Sequence, residues 1–255
     1  MASRRKVLGV AAALGMLCLT PLASRADEPA PASAISNAIP EALMAGLAQH
    51  AAHFEEMKTR GAFTFSGRME EIDGDGNTAE AKEIVVRSTP TSTPGDRISE
   101  VIRCTENGKD TTAEAQKAAN EKRAKRLKQG EDRGTQLHLP FLPSEQARYV
   151  FTLGERDPSN PARLKILFVP KVPAENAIKG SAWVDERERE VLSMGFSFSK
   201  NPMFIDHVDI TIMFGMPTQL GRAPSKLTFD GRGGFLFLRK HYRGTATISD
   251  PRVVL

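Results

Sequence analysis

Gly180-Ser181-Ala182-Trp183-Val184-Asp185, the charged break Glu186-Arg187-Glu188-Arg189, then Val191-Leu192-Ser193-Met194-Gly195-Phe196-Ser197-Phe198-Ser199 form the stretch that decides the fold. A period of two sends successive side chains to opposite faces of an extended chain. Two extended runs around a short charged break therefore predict a β-hairpin. The same alternation continues on both sides. Upstream, Tyr149, Phe151 and Leu153 share one face, as do Leu164, Ile166 and Phe168. Downstream, Val208, Ile210, Ile212 and Phe214 alternate with His207, Asp209, Thr211 and Met213. Leu227 and Phe229 precede Asp230-Gly231-Arg232-Gly233-Gly234, which reads as a turn, and Gly234–Tyr242 with Thr245–Ser249 completes the series. Nearer the start, Phe63, Phe65 and Met69 alternate with polar residues. Asp73-Gly74-Asp75-Gly76-Asn77 then turns the chain into strands at Ala81–Arg87 and Arg97–Thr105.

Two segments break this rhythm. Leu43, Leu47, His50, Phe54 and Met57 recur at steps of three and four, which predicts an amphipathic helix. Pro40 suits its first position, Ser36 or Asn37 its cap, and Gly61 its end. Thr111-Thr112-Ala113-Glu114 has capping-box spacing and opens a charged, Ala-rich helix to about Lys128. About nine to eleven strands joined mostly by hairpins, with two early helices, predict an α+β fold. Its core is an antiparallel β-meander curled into an unclosed barrel, with helices covering the concave face.

The N-terminus predicts export. Arg4, Arg5 and Lys6 precede the apolar run Val7–Leu19, and Ser24-Arg25-Ala26 offers small residues where a signal peptidase cuts. Residues 1–26 thus read as a signal peptide, 27–33 as a disordered Ala/Pro arm, and 34–255 as one domain, placing the protein in the periplasm or cell envelope. Ser3-Arg4-Arg5-Lys6 approaches a twin-arginine signal without its usual Phe, which leaves the export route open. Leu17 before Cys18 argues against lipoprotein processing.

Charge excludes one function class. The whole chain carries 35 Lys and Arg against 31 Asp and Glu, but four of the cations lie in residues 1–26. The remainder is neutral, so composition gives no footprint for nucleic acid. Cys104 is then the lone cysteine, which allows no internal disulfide and reads as a small buried apolar residue.

The order of the Gly180–Asp185 strand, its charged turn and returning strand, Pro202–Phe204, the His207–Phe214 strand, Pro224-Ser225-Lys226 and Gly233–Lys240 resembles the outer-membrane lipoprotein carrier superfamily, the LolA/LolB-like fold. The leading helix, first hairpin and signal peptide fit it too. The resemblance implies acyl chains held in an apolar cavity under a helical lid. Partners would be a lipid or an acylated protein, with contact at the membrane surface. Phe63, Phe65, Tyr149, Phe151, Phe168, Phe196, Phe198, Ile210, Ile212 and Phe214 are the candidate lining residues, taken from alternation. The same alternation is compatible with a filled core, in which case the protein is an envelope scaffold or sensor acting through protein contacts.

Catalytic chemistry finds no foothold. Asp73–Asn77 begins like a calcium loop, but Thr78 stands where Gly is needed and Ile84 where Glu is needed. His50 and His53 share a helix without a third ligand, and no serine elbow, carboxylate pair or phosphate loop is present. The expectation is a non-enzyme without cofactor or metal. Lys122, Arg123, Lys125 and Arg126 on the charged helix are candidates for docking onto headgroups or an acidic partner, against the alternative of a solvated helix face.

Overall fold

A computed structural model describes residues 39–253, apart from 94, 130–137, 219–220 and 236–237. The expected signal peptide, the arm and the cap at Ser36 or Asn37 lie outside these residues. Helix α1 (Glu41–Arg60) runs straight into β1 (Gly61–Ile72). Then come β2 (Thr78–Pro90), β3 (Arg97–Glu106), the short β4 (Lys109–Asp110), α2 (Thr112–Gln129) and the single turn α3 (Pro143–Gln146). Five long strands follow: β5 (Tyr149–Asp157), β6 (Asn160–Pro170), β7 (Ile178–Asp185), β8 (Glu190–Phe198) and β9 (Ile205–Met213). A small hairpin, β10 (Met216–Thr218) with β11 (Gly221–Ala223), leads to β12 (Lys226–Phe235) and β13 (Leu238–Val253).

Eleven strands form one sheet in the order β4-β3-β2-β1-β13-β12-β9-β8-β7-β6-β5, with antiparallel pairing at every step of its register. The two end strands do not pair, so the sheet is not closed. It is two meanders, β1–β4 and β5–β9, joined by the β12–β13 hairpin. The first strand therefore lies beside the last, with Phe65 opposite Ile248, a neighbour that sequential hairpins do not predict.

Two expectations need correction. Asp230–Gly234 is not a turn but the interior of β12, and β13 is one continuous strand rather than two. The glycines are there for close approach: a Cβ on Gly233 would sit 2.2 Å from the carbonyl oxygen of Phe204. The second concerns the charged helix, whose expected capping box does not form: α2 packs along β3. The Gln116 amide accepts a hydrogen bond from the Val101 N–H at 2.6 Å and donates to the Ser99 carbonyl at 3.1 Å. A side chain thus replaces the peptide group of a missing neighbouring strand, which is how an exposed sheet edge is blunted. Thr111 and Thr112 do not form the expected box. Their hydroxyls turn to Cys104, one reaching its sulfur and the other accepting its N–H.

The register fixes one continuous inner face. It runs Phe151 and Leu153, Ile166 and Phe168, Gly180 and Ala182, Met194 and Phe196, Ile210 and Ile212, Leu227 and Phe229, Gly244 and Ala246, Phe65 and Gly67, then Ile84 and Val86. Gly180 stands between Phe168 and Phe196, where a Cβ would approach the Gly195 carbonyl oxygen to 2.1 Å. The opposite face is polar: Thr211, Thr228, Thr245, Arg68 and Glu83 follow one another across it.

Candidate functional site

Strand direction divides the inner face in two. Helix α1 lies across the end of the sheet where β1 begins. Gly46 is against Arg189 of the β7–β8 turn, and His53 is beside Gly221 of β11. Of its predicted stripe Leu43, Leu47, His50 and Met57 are buried and Phe54 is half-buried, with Ala51 buried beside them. Arg97 fixes the far end of the helix, donating to the carbonyls of Lys58 and Gly61 while its guanidinium covers the ring of Phe63 at 4.9 Å. At the opposite end of the sheet the strands run clear of the helix.

Burial follows this division along single strands. On β8, Val191, Met194 and Phe196 are buried and Phe198 is half-buried. Beside it, Phe214 and Ile212 are buried whereas Ile210 and Val208 are half-buried. The half-buried strip continues through Phe229 on β12 to Met69 and Phe65 on β1. A Cβ added at Gly244 would meet the Phe229 ring at 2.0 Å, and one at Gly67 would meet the Phe65 ring at 2.7 Å. The two rings therefore lie over bare glycines and carpet the sheet.

The ten expected lining residues separate accordingly. Tyr149, Phe168, Phe196, Ile212 and Phe214 belong to the packed core. Phe214 meets His50 and Phe54 edge-on at 5.2 and 5.7 Å, and the Tyr149 hydroxyl accepts the Ile178 N–H at 3.2 Å. Phe63, Phe65, Phe151, Phe198 and Ile210 are half-buried. Of these, Phe151 stacks on Phe141 at 5.4 Å and Phe63 is covered by Arg97. Phe198 and Ile210 pack against the edge of the core, and with Phe65, Phe229 and Met69 they form the half-buried strip. Phe229 shows the same alternation in sequence, just before the glycines that read there as a turn.

Leu139 and Phe141 are the other residues that alternation misses. Both are fully buried and fill the inner face over β5 to β7. They lie in an irregular segment, His138-Leu139-Pro140-Phe141-Leu142, whose only signal is a run of apolar residues between prolines.

A polar group closes the strip at its open end. Glu71 accepts hydrogen bonds from Lys240 and from the Tyr242 hydroxyl, the latter at 3.2 Å. Glu71 raises the Lys240 pKa, and burial raises that of the Tyr242 phenol. The apolar strip thus ends at an ion pair and a phenolic hydroxyl. Two open grooves of about 280 and 370 Å³ lie on the outer face around Arg68, lined by Thr side chains and by Arg, Glu and Asp side chains paired with one another.

The docking residues proposed on α2 also divide. Lys122, Lys125 and Arg126 are exposed, but Arg123 holds Asp96 with two hydrogen bonds of 2.9 and 2.5 Å. That contact pulls the Asp96 pKa down to about 2 and latches α2 to the β2–β3 connection.

No family model matches the chain, and no curated protein does. Among solved structures the chain is similar to a putative outer membrane lipoprotein-sorting protein domain from Vibrio parahaemolyticus, at 13% identity and TM-score 0.33 over 80% of this chain and 92% of that one. It is similar to a DUF1329 family protein from Desulfovibrio piger, at 9% identity and TM-score 0.36 over 83% and 92%. It is also similar to a LolA superfamily protein from Nitrosomonas europaea, at 9% identity and TM-score 0.31 over 80% and 93%.

Proposed function

We propose that the protein is an exported, non-enzymatic carrier that holds the apolar part of a lipid, or the acyl chain of an acylated protein, along the inner face of its open sheet. One observation carries the reading: Phe198, Ile210, Phe229, Met69 and Phe65 form an apolar, half-buried strip at the margin of the packed core. Burying apolar surface gains about 25 cal/mol per Å², so a chain laid along the strip binds without any directional contact. Lys240 and Tyr242 then lie where a polar head would be. The N-terminal sequence supports export to the periplasm or cell envelope.

The dense packing over β5 to β7 favours a second reading, in which the fold is a scaffold or sensor that meets proteins instead of lipids. Both readings are tested by purifying residues 27–255 from a membrane-containing host, denaturing the sample and measuring co-purified lipid by mass spectrometry. The carrier reading expects stoichiometric lipid and uptake of an apolar fluorescent probe. Ile210→Asp and Phe198→Asp, each still cooperatively folded, should reduce probe affinity by about tenfold or more. Lipid-free protein that takes up no probe removes the carrier reading and leaves the scaffold.

A further inference from the structure

We infer that the open end of the sheet is a docking surface for an anionic phospholipid bilayer, formed by the β6–β7 and β8–β9 connections and the base of the β12–β13 hairpin. Connections between strands are normally polar, and these are not. Val172 is 75% exposed, Met203 67% and Phe204 50%. All three stand on the same rim, since β7, β8, β9 and β12 are successive neighbours in the sheet.

The rim is held together. The Ser199 hydroxyl accepts the Ala174 N–H at 3.0 Å and donates to the Ala174 carbonyl at 2.9 Å, joining the first two connections. The Gly234 N–H donates to the Phe204 carbonyl at 2.8 Å, joining the second to the hairpin. Phe204 is kept at a φ of 70°, a left-handed conformation that a bulky residue rarely adopts. The hairpin projects past its neighbours: its pairing runs to Phe235–Leu238, whereas β12 leaves β9 at Gly233 and β13 leaves β1 at His241. Apolar side chains on fixed loops meet a surface without paying for their own ordering.

Charge selects the occupant. Within these connections Lys171, Lys200, Arg232 and Arg239 stand against Glu175 and Asp206, and the neighbouring Arg148–Glu145 and Lys240–Glu71 pairs each cancel. Lys171, Lys200 and Arg232 make no ion pair among the described residues, and Arg239 meets Asp206 at 3.3 Å. Cations ringing exposed apolar residues match an acyl boundary under negative headgroups. Further along the rim the β1–β2 turn carries Asp73 and Asp75, so attraction ends there and the molecule meets the bilayer tilted. Helix α2 is not part of this surface, because its basic last turn lies near Asp96 at the other end of the sheet. The inference deepens the carrier reading, on which it rests only for its purpose, by placing the mouth of the apolar strip at the membrane.

The test is co-sedimentation of residues 27–255, which contain every described core residue, with mixed phosphatidylglycerol–phosphatidylcholine vesicles and with pure phosphatidylcholine vesicles. Binding should be strong to the first and weak to the second. It should fall by about tenfold in Met203→Ser/Phe204→Ser and in Lys200→Glu/Arg232→Glu, and stay unchanged in Lys122→Glu/Arg126→Glu. Wild-type protein that ignores anionic vesicles, or rim variants that bind like wild type, overturn the inference, as does loss on changing α2. Probe uptake without vesicles separates the two ideas. Rim variants that keep uptake but lose vesicles support docking, whereas a protein that docks yet takes up no probe overturns only the carrier reading.

Discussion

His50 carries the sharpest energetic consequence of any single residue. It is 4% exposed on the apolar face of α1, and neither ring nitrogen has a hydrogen-bond partner among the described residues. Burial lowers its pKa to about 4. Glu190 opposes that shift, while His53 and Arg222 add to it. An unfolded histidine titrates near 6.5, so between these values the unfolded chain holds the extra proton and stability rises with pH. The contribution, on the order of 3 kcal/mol, is complete above pH 6.5 and lost as the pH falls toward 4. His50→Leu should therefore raise stability at pH 5 more than at pH 7, which urea unfolding at the two values measures. Gly180 is the second such residue. Gly180→Ala drives a methyl into the β8 backbone and should cost about 2 kcal/mol or more in the same assay. Neither effect is visible in the sequence, where His50 is one member of a helical stripe and Gly180 one glycine of a motif.

Among elements, α2 shows how far a correct boundary can be from a correct role. Its span was legible from Thr111 to about Lys128, and its charge was too. What it packs against was not, because a mostly polar helix has no apolar stripe to aim it. Tertiary hydrogen bonds aim it instead, through Thr112, Gln116 and Arg123. Gln116→Ala should cost about 1 kcal/mol and speed amide exchange at Val101, whose N–H loses its acceptor. The Asp96 carboxyl is held below its ordinary pKa, chiefly by the hydrogen bonds from Arg123. Its contribution is thus complete above about pH 3.8 and lost as the pH falls toward 2. Acid titration followed by exchange at β3 should show α2 loosening in that window, and Asp96→Asn should loosen it at neutral pH.

The whole molecule is asymmetric about its own sheet. Over β5 to β9 the inner face is a filled core, under α1 on one side and Leu139 and Phe141 on the other. Across β8 to β1 it is a half-buried strip at the margin of that core. Core truncation should expose this difference: Phe168→Ala, which opens a cavity under Phe141 and Tyr149, should cost about 3–5 kcal/mol, whereas Phe65→Ala should cost much less. A comparably large loss at Phe65 in thermal or urea unfolding would show that the strip is packed as tightly as the core.

What the sequence determined by itself is everything that depends on neighbours along the chain. The strands of β5 to β9, the α1 stripe, and the apolar face of each strand follow from the period of two or 3.6, because side-chain direction is set by local backbone geometry. The order of the strands is not of that kind. Backbone hydrogen bonds are chemically alike in every strand, so Phe65 could not declare Ile248 its neighbour, nor Gly233 announce the Phe204 carbonyl that requires it. The packing of an irregular segment such as 138–142 is equally silent in periodicity. Only the tertiary structure decided which apolar residues became core and which stayed half-open, since that depends on where α1, α2 and that segment come to rest.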